Sequence, residues 1–577
     1  MTTGEVAAVL AEIAMLTEIV GGDPFRARAF AGAARRLEGS GVDLHALARE
    51  DALTSLPGIG AGIASTINEL VRTGRSALHS RLVADTPVGL YDVMRVKGLG
   101  TRKIRALYSE LGIDSLDALE EAARAGRVAT LAGFGEKTQA RILDGIGFVR
   151  STRGMRRIDH ALEVAERLVD HLRGTEGVVA AEVAGALRRR MEVVDSIELV
   201  AATDRAYEVL AAFRTLGELT AGSGESGGRA EIRFTDGFTA RLACAAPDAF
   251  GAALAWWTGS AEHVAQLAAR AAERGMELGP AGLARGSAPS EEALYGALGL
   301  PWIPPELREG WGEVDAAATG SLPRLVELAD LRGTFHCHTT YSDGRATVAE
   351  MAEAARERGW SYLGIADHSQ VAGYAGGLSP AAVARQIREI DGWNGEHGGA
   401  GERRFRIFSG TEADILADGA LDFPDEVLAR FDYVVGSVHS AFALPERAQT
   451  ERLVRAVSNP RLTILGHATG RLLLGRSGYA VDVRAVIDAA AEHGAAIEIN
   501  ADPHRLDLDW RHARYAAERG VLLPINPDAH SVPGLGNVGW GVNVARKAWV
   551  GPRGVLNAWE LEEVEEYLAQ RKQTRPT

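Results

Sequence analysis

The sequence predicts a multidomain chain: an α-helical region over residues 1–152, an α+β region over 153–316 and, from residue 331, alternating strands and helices that build a parallel sheet or barrel. A glycine-rich turn that opens a helix recurs three times in the first 150 residues. Runs with strand patterning fill residues 178–246. In the last third, His, Asp and Glu stand repeatedly at the carboxyl end of a short apolar run. At 577 residues the chain is too long for one core, and about three or four domains are expected.

Composition narrows the class. Apolar residues make up 46%, ordinary for a globular chain. The two cysteines, Cys244 and Cys337, are too few for a disulfide framework and suit a reducing cytoplasm or a cysteine-poor proteome. The first residues lack the basic segment and apolar run of a signal peptide. No uncharged stretch reaches membrane-spanning length, so no membrane partner is expected. The net charge of −14 argues against a chain that coats nucleic acid by charge alone. Residues 1–150 are balanced, with 18 Lys and Arg against 18 Asp and Glu, so the acidic excess lies downstream.

The repeated unit of the helical region is apolar-x-Gly-apolar-Gly. Its copies are Leu56-Pro57-Gly58-Ile59-Gly60, Val96-Lys97-Gly98-Leu99-Gly100 and Leu131-Ala132-Gly133-Phe134-Gly135. The glycines permit a tight turn that presents backbone N–H groups at a helix N-terminus, a phosphate site that needs no net positive charge. The form resembles the helix-hairpin-helix, a sequence-neutral binder of DNA backbone. Lys97 and Lys103 are placed to neutralise phosphate. The helix after the first copy has no lysine, so no Schiff-base lyase is expected from it.

In the α+β region an amphipathic helix covers 157–173, and four strand-like runs begin near Val178, Val193, Arg229 and Thr239. An antiparallel sheet is expected, with a turn at Thr235–Phe238. The loop Gly185–Arg190 precedes the main strand, and Trp256-Trp257-Thr258-Gly259-Ser260 follows the sheet. Residues 317–330 are the expected linker.

The last third opens on Phe335-His336-Cys337-His338-Thr339-Thr340-Tyr341-Ser342-Asp343-Gly344. His336 and His338 are two apart, so on a strand both face one way. Asp343 adds a hard oxygen from a turn. His368, Glu412, His439, His467, Asp528 and His530 each end an apolar segment, with helical patterns at 347–358 and 483–493 between them. Strand followed by helix, repeated, gives a parallel sheet or barrel whose ligands gather at the carboxyl edge. Nine donors at one rim exceed the need of a single ion and suit two or three. Mixed imidazole and carboxylate donors favour Mn²⁺, Zn²⁺ or Fe²⁺ over Mg²⁺ alone. Glu412, with two oxygens, is the candidate bridge.

Residues 5 to 570 resemble a bacterial family X DNA polymerase with a C-terminal PHP (polymerase and histidinol phosphatase) domain. The resemblance rests on the three hairpins, Gly185–Arg189, Trp256–Ser260, Trp302–Glu313, His336–Gly344, Ala366–Ser369, Gly410–Phe423, Ser437–Ser440, Gly466–Arg471, Glu498–Leu508 and Asp528–Ser531. It implies a nucleotidyltransferase-like palm and thumb over 153–316 and a distorted (β/α)7 PHP barrel over 331–573. All nine barrel donors are the family's metal ligands by this resemblance. Arg471 and Arg505 could hold phosphate, and Asp367, Asp414 and Asp502 could orient ligands. The DNA contacts implied are Gly58, Gly60, Gly98, Gly100, Lys103, Gly133 and Gly135.

The polymerase positions depart from the family. Ala186 replaces the serine of the loop that carries Arg189, and Ser196 and Glu198 replace the two aspartates that hold the catalytic metal pair. Ala240 is assigned to the third aspartate, and Val264 and Ala268 replace a later asparagine and arginine. Two-metal phosphoryl transfer needs several anionic oxygens, so synthesis is expected to be lost or weak. A shifted ligand set of Asp195, Glu198 and Asp236 is the alternative. The function implied is a metal-dependent 3′→5′ exonuclease or 3′-phosphoesterase on gapped or 3′-ended DNA, in repair, in a bacterial cytoplasm at the nucleoid. A bifunctional repair polymerase and a small-molecule phosphatase are the other readings.

Overall fold

The residue between the two glycines of each hairpin is a hydrophobic anchor. Ile59, Leu99 and Phe134 are all buried. Gly58, Gly98 and Gly133 stand at φ of 77°, 85° and 81°, where a side chain is strained. Gly60, Gly100 and Gly135 are the N-caps of helices Ala61–Thr73, Thr101–Leu111 and Glu136–Ser151, with no side-chain cap. The three copies thus share a positive-φ glycine, a buried anchor and a glycine N-cap, with Gly135 more extended, at φ −171°, than Gly60 and Gly100. The structure is a computed structural model that describes residues 1, 3–37, 42–216, 222–226, 229–234, 237–399 and 404–573, without the side chains of 222–226 and 573. It divides into two compact units, Met1–Arg153 and Gly154–Thr577. The first holds two apolar clusters, one around Leu10, Phe30 and Ile67 and one around Leu90, Leu107 and Ile146.

In the second unit, helix Ile158–Arg173 covers a five-stranded sheet in the order Val178–Ala184, Ser196–Thr203, Thr239–Ala245, Arg229–Arg233, Gly222–Ser226. The sheet is mixed, not antiparallel as expected: Ser196–Thr203 and Thr239–Ala245 run parallel. Helix Ala206–Arg214 and the hairpin that follows supply the long crossover that a parallel pair requires. Thr235 and Asp236, part of the expected turn, lie outside the described residues. Helices Phe250–Thr258, Ala261–Glu273 and Glu291–Ala297 pack a separate core. There the fully buried Arg308 and the half-buried Arg188 both pair with Glu291. Burial pushes the Glu291 carboxyl up, but the two guanidinium groups hold it well below its usual range.

Residues 317–330 are not a free tether. Leu325 and Val326 are buried, and the Val326 N–H donates to Val550 O at 3.0 Å. Lys547, also buried, reaches Glu309 and the Arg189 carbonyl.

The barrel has seven strand positions. Tyr362–Ile365, Arg406–Asp414, Tyr433–Ser437, Ile464–Leu465 and Ala496–Ile497 form one parallel sheet. Ile499–Asn500 continues it to Ile525–Asn526. The segment 334–338 closes the ring through a parallel bridge between Cys337 and Ala529, and the Ala366 N–H donates to Cys337 O. Alternate residues point inward. Tyr362, Phe408 and Tyr433 fill the interior, while Leu363, Ile407 and Val434 pack outward. Gly410 makes room for this filling, since a Cβ there would lie 2.4 Å from the Tyr433 ring.

Candidate metal centre

The inward parity that places Phe408 below places Glu412 above it, at the carboxyl end of the barrel, and the other donors gather round it. His336 and His338 keep their shared face although only a single bridge, not a full strand, holds them. Their rings lie 5.1 Å apart. His368 bridges Glu412 through the backbone. His467 Nε2 lies 2.9 Å and His439 Nε2 3.3 Å from Glu412 Oε1, and His368 Nδ1 lies 2.8 Å from Oε2. His338 Nε2 is 3.3 Å from Asp528 Oδ1, and His530 Nε2 is 3.3 Å from Asp343 Oδ1.

Eight of the nine expected ligands fall into three overlapping groups whose donor atoms lie within 4.8 Å of one another. These are His338–Asp343–His368–His530, His336–His338–Asp528 and His368–Glu412–His439. His467 stands outside the groups but touches Glu412. The three groups share His338 and His368, and each could hold a metal ion. Nitrogen atoms of His336, His338 and His467 are buried without hydrogen-bond partners. An orphaned buried polar atom costs about 1–3 kcal/mol, and a cation would satisfy several at once. The donor set therefore fits divalent metal.

The electrostatics are those of a coupled cluster. Burial pulls the His338 imidazole down, and His530 and its other imidazole neighbours pull further, to about 3. It is neutral at pH 7 and ready as a ligand. Burial also lowers His439, but the charges of Glu412 and Asp414 lift it to about 10. Burial would raise Glu412, yet the surrounding imidazoles hold it well below its usual range. Asp343, held down chiefly by His530 against burial, falls to about 2.

The partners that orient these ligands were only partly visible in the sequence. Asp414 Oδ1 lies 2.5 Å from His439 Nδ1, as expected of an orienting carboxylate. Asp367 instead holds the loop before Asp343, accepting from Thr339 N and Oγ1 and from Gln386. Asp502 accepts from His504. Glu498 was missed. It is fully buried, sits 2.6 Å from His336 Nδ1, and accepts from His467 N, Asn500 Nδ2 and Asn526 Nδ2. A carboxylate inside an apolar strand was the available signal. Glu498→Gln is expected to weaken metal binding by about 10- to 100-fold with the fold retained. Metal titration in a competing chelator checks it, and an unchanged affinity would rule out an orienting role.

Of the two arginines considered for phosphate, Arg505 lies at the cluster, with Nε 3.5 Å from Asp528 Oδ2. Arg471 does not come forward in the same way. Its guanidinium is taken up by the Arg505 and Leu506 carbonyls and by Glu192.

The residues assigned to the polymerase positions line a separate cavity of about 430 Å³, among them Ala186, Arg189, Ser196, Glu198, Trp257 and Val264. Arg189 is engaged by Glu309 and by Thr258 O. Ala240 does not face this cavity. It pairs in register with Ile197, and both are fully buried in the core. The residue in register with Glu198 is Arg241, whose Nη1 lies 3.0 Å from Glu198 Oε1. Arg229 pairs with the other oxygen and stacks on Trp257 at 4.0 Å. The assignment of Ala240 to the cavity is thus corrected: its neighbours Thr239 and Arg241 face Ser196 and Glu198, and a shift of one residue on a strand reverses the face. Thr239, in register with Ser196, shares that face with Arg241, so neither neighbour of Ala240 on the cavity side is a carboxylate. Of the shifted ligand set, Asp195 is exposed and hydrogen-bonded by Ser196, and Asp236 lies outside the described residues.

Family models match the chain in four places. They describe a helix-hairpin-helix domain (residues 1–76), a SAM-like helix-hairpin-helix tandem (91–147), a DNA polymerase beta thumb (253–309) and a PHP domain (334–502). The DNA polymerase/3′-5′ exonuclease PolX of Bacillus subtilis (strain 168) is 37% identical over 568 residues, 97% of this chain and 98% of its own. A probable phosphatase of Caldicellulosiruptor saccharolyticus is 33% identical over 206 residues, 34% of this chain and 78% of its own. One of Thermoanaerobacter sp. (strain X514) is 28% identical over 250 residues, 41% and 94% respectively.

Proposed function

Because the chain belongs to the bacterial family X DNA polymerases that carry a C-terminal PHP domain, we propose that it is a metal-dependent 3′→5′ exonuclease or 3′-phosphoesterase that processes DNA ends in repair, on a polymerase scaffold that has lost or nearly lost synthesis. The convergence of His336, His338, Asp343, His368, Glu412, His439, His467, Asp528 and His530 around one carboxylate, with orphaned nitrogens among them, carries this reading. Divalent ions held by these residues, Mn²⁺ or Zn²⁺ by the donor chemistry and Fe²⁺ as a third candidate, would lower the pKa of a bound water and neutralise phosphate oxygens.

The chain's own residues do the rest. Asp414 and Glu498 fix the rings of His439 and His336. Arg505, half-buried beside Asp528, supplies a fixed positive charge for a phosphate. Hydrolysis joins a water oxygen to phosphorus and breaks the bond to the 3′-oxygen, which takes the proton. At a nucleotide end this releases a mononucleotide; at a 3′-phosphate it releases inorganic phosphate. The glycine hairpins, with uncapped N–H groups beside Lys103, suit sequence-neutral contact with the DNA backbone of gapped or 3′-ended substrates. Such work belongs in the bacterial cytoplasm at the nucleoid. Among the described residues no helix is long and apolar enough to cross a membrane.

A phosphatase of small monoesters is the second reading, favoured by the likeness of the barrel alone to probable phosphatases. Mononucleotide release from 3′-ended single-stranded DNA in Mn²⁺, set against phosphate release from a small monoester, separates the two. DNA cleavage is expected to dominate, to stop with chelator, and to be absent from a His336→Ala, His338→Ala protein. Monoester turnover without DNA cleavage would sink the proposal.

A further inference from the structure

Tyr374 stands 74% exposed beside the ligand cluster. Its ring centroid lies 6.3 Å from that of His368 and 6.4 Å from that of His439.

Packing does not account for the placement. Among the described residues its hydroxyl has no hydrogen-bond partner. The turn that carries it is tied down by local contacts. Ala372 and Ala375 are buried on either side, and the Ala375 and Gly377 N–H groups both donate to Ala372 O. Gly377 cannot carry a side chain, since a Cβ would lie 1.9 Å from Ser369 O. Val371 N–H is tied to Asp422 Oδ2 at 2.9 Å. A fixed turn thus holds a large aromatic ring in water at the rim of a charged site, where exposure of apolar surface is unfavourable. Every nucleobase offers a flat face for such a ring, and base–aromatic stacking does not depend on sequence.

We propose that Tyr374 stacks on the base of the 3′-terminal nucleotide, positioning its phosphate over the cluster and making the centre selective for ends that carry a base. This rests on the phosphoesterase reading and names its substrate class: a nucleotide rather than a bare phosphate ester.

Removal of the last residue is followed on two single-stranded oligonucleotides that differ only there, one ending in a nucleotide and one in an abasic tetrahydrofuran residue. The wild type is expected to prefer the base-bearing end. In Tyr374→Ala the ratio of kcat/KM values should fall about 10- to 100-fold toward one, mainly through KM. Tyr374→Phe and Tyr374→Trp should restore it, with metal content the same in all. An unchanged ratio in Tyr374→Ala, with the wild type active, overturns the proposal and leaves the phosphoesterase reading intact. A wild type that turns over neither oligonucleotide removes that reading and this proposal together.

Discussion

Glu412→Ala is expected to lower metal-dependent cleavage of DNA ends by about three powers of ten or more. Its two oxygens are contacted by five imidazoles, those of His336, His338, His368, His439 and His467, at 2.8 to 3.8 Å. No other donor in the centre joins as many. Glu412 itself is buried, and removing it takes the anionic hub from the cluster and would leave the repulsion among its imidazoles and the ions they hold uncompensated. Bound metal should fall together with activity. Since alanine also leaves a cavity, Glu412→Gln supplies the isosteric control. It keeps the volume and one oxygen, and should lose about two powers of ten. Metal analysis of the purified proteins, with thermal melting in chelator to confirm folding, checks both. A folded Glu412→Gln protein with full metal and activity within about tenfold of the parent would place the chemistry elsewhere.

What could be read before folding was what depends on short spacing. The hairpin glycines and their buried anchors Ile59, Leu99 and Phe134 follow from five consecutive residues. The pairing of His336 with His338 follows from a period of two, and it survives even where the strand shrinks to one bridge. Glu498 escaped because its meaning is non-local. It acts on His336, 162 positions away, and only closure of the barrel brings them together. The parallel pairing of Ser196–Thr203 with Thr239–Ala245 was hidden for the same reason. The error at Ala240 has a different origin: a strand assigned correctly in extent but displaced by one residue shows the wrong face.

The facing of that strand bears on what strong synthesis would take. The parent is expected to extend a primer in gapped DNA negligibly, and Ser196→Asp with Glu198→Asp to remain nearly silent although both aspartates are then in place. The obstacle is Arg241, in register with residue 198 and on the same face. Two unit charges of like sign about 4 Å apart repel by about 4 kcal/mol at an intermediate effective dielectric, and a divalent ion beside a guanidinium is disfavoured further. Mg²⁺ also demands several oxygens in near-octahedral array, which two carboxylates beside a guanidinium do not provide. Adding Arg241→Asp removes the cation and supplies a third carboxylate on the same face in one change. The triple variant should extend at least about tenfold faster than the double, in a Mg²⁺-dependent way, since loss of one essential group commonly costs that much or more. Arg229 still opposes full recovery, because it stacks on Trp257 and can pair with a carboxylate at position 198. Equal rates for the double and triple variants would show that Arg241 is no obstacle. Robust extension by the parent would show that the cavity lined by Ser196 and Glu198 still gathers its metal pair, and that this scaffold both makes and trims DNA.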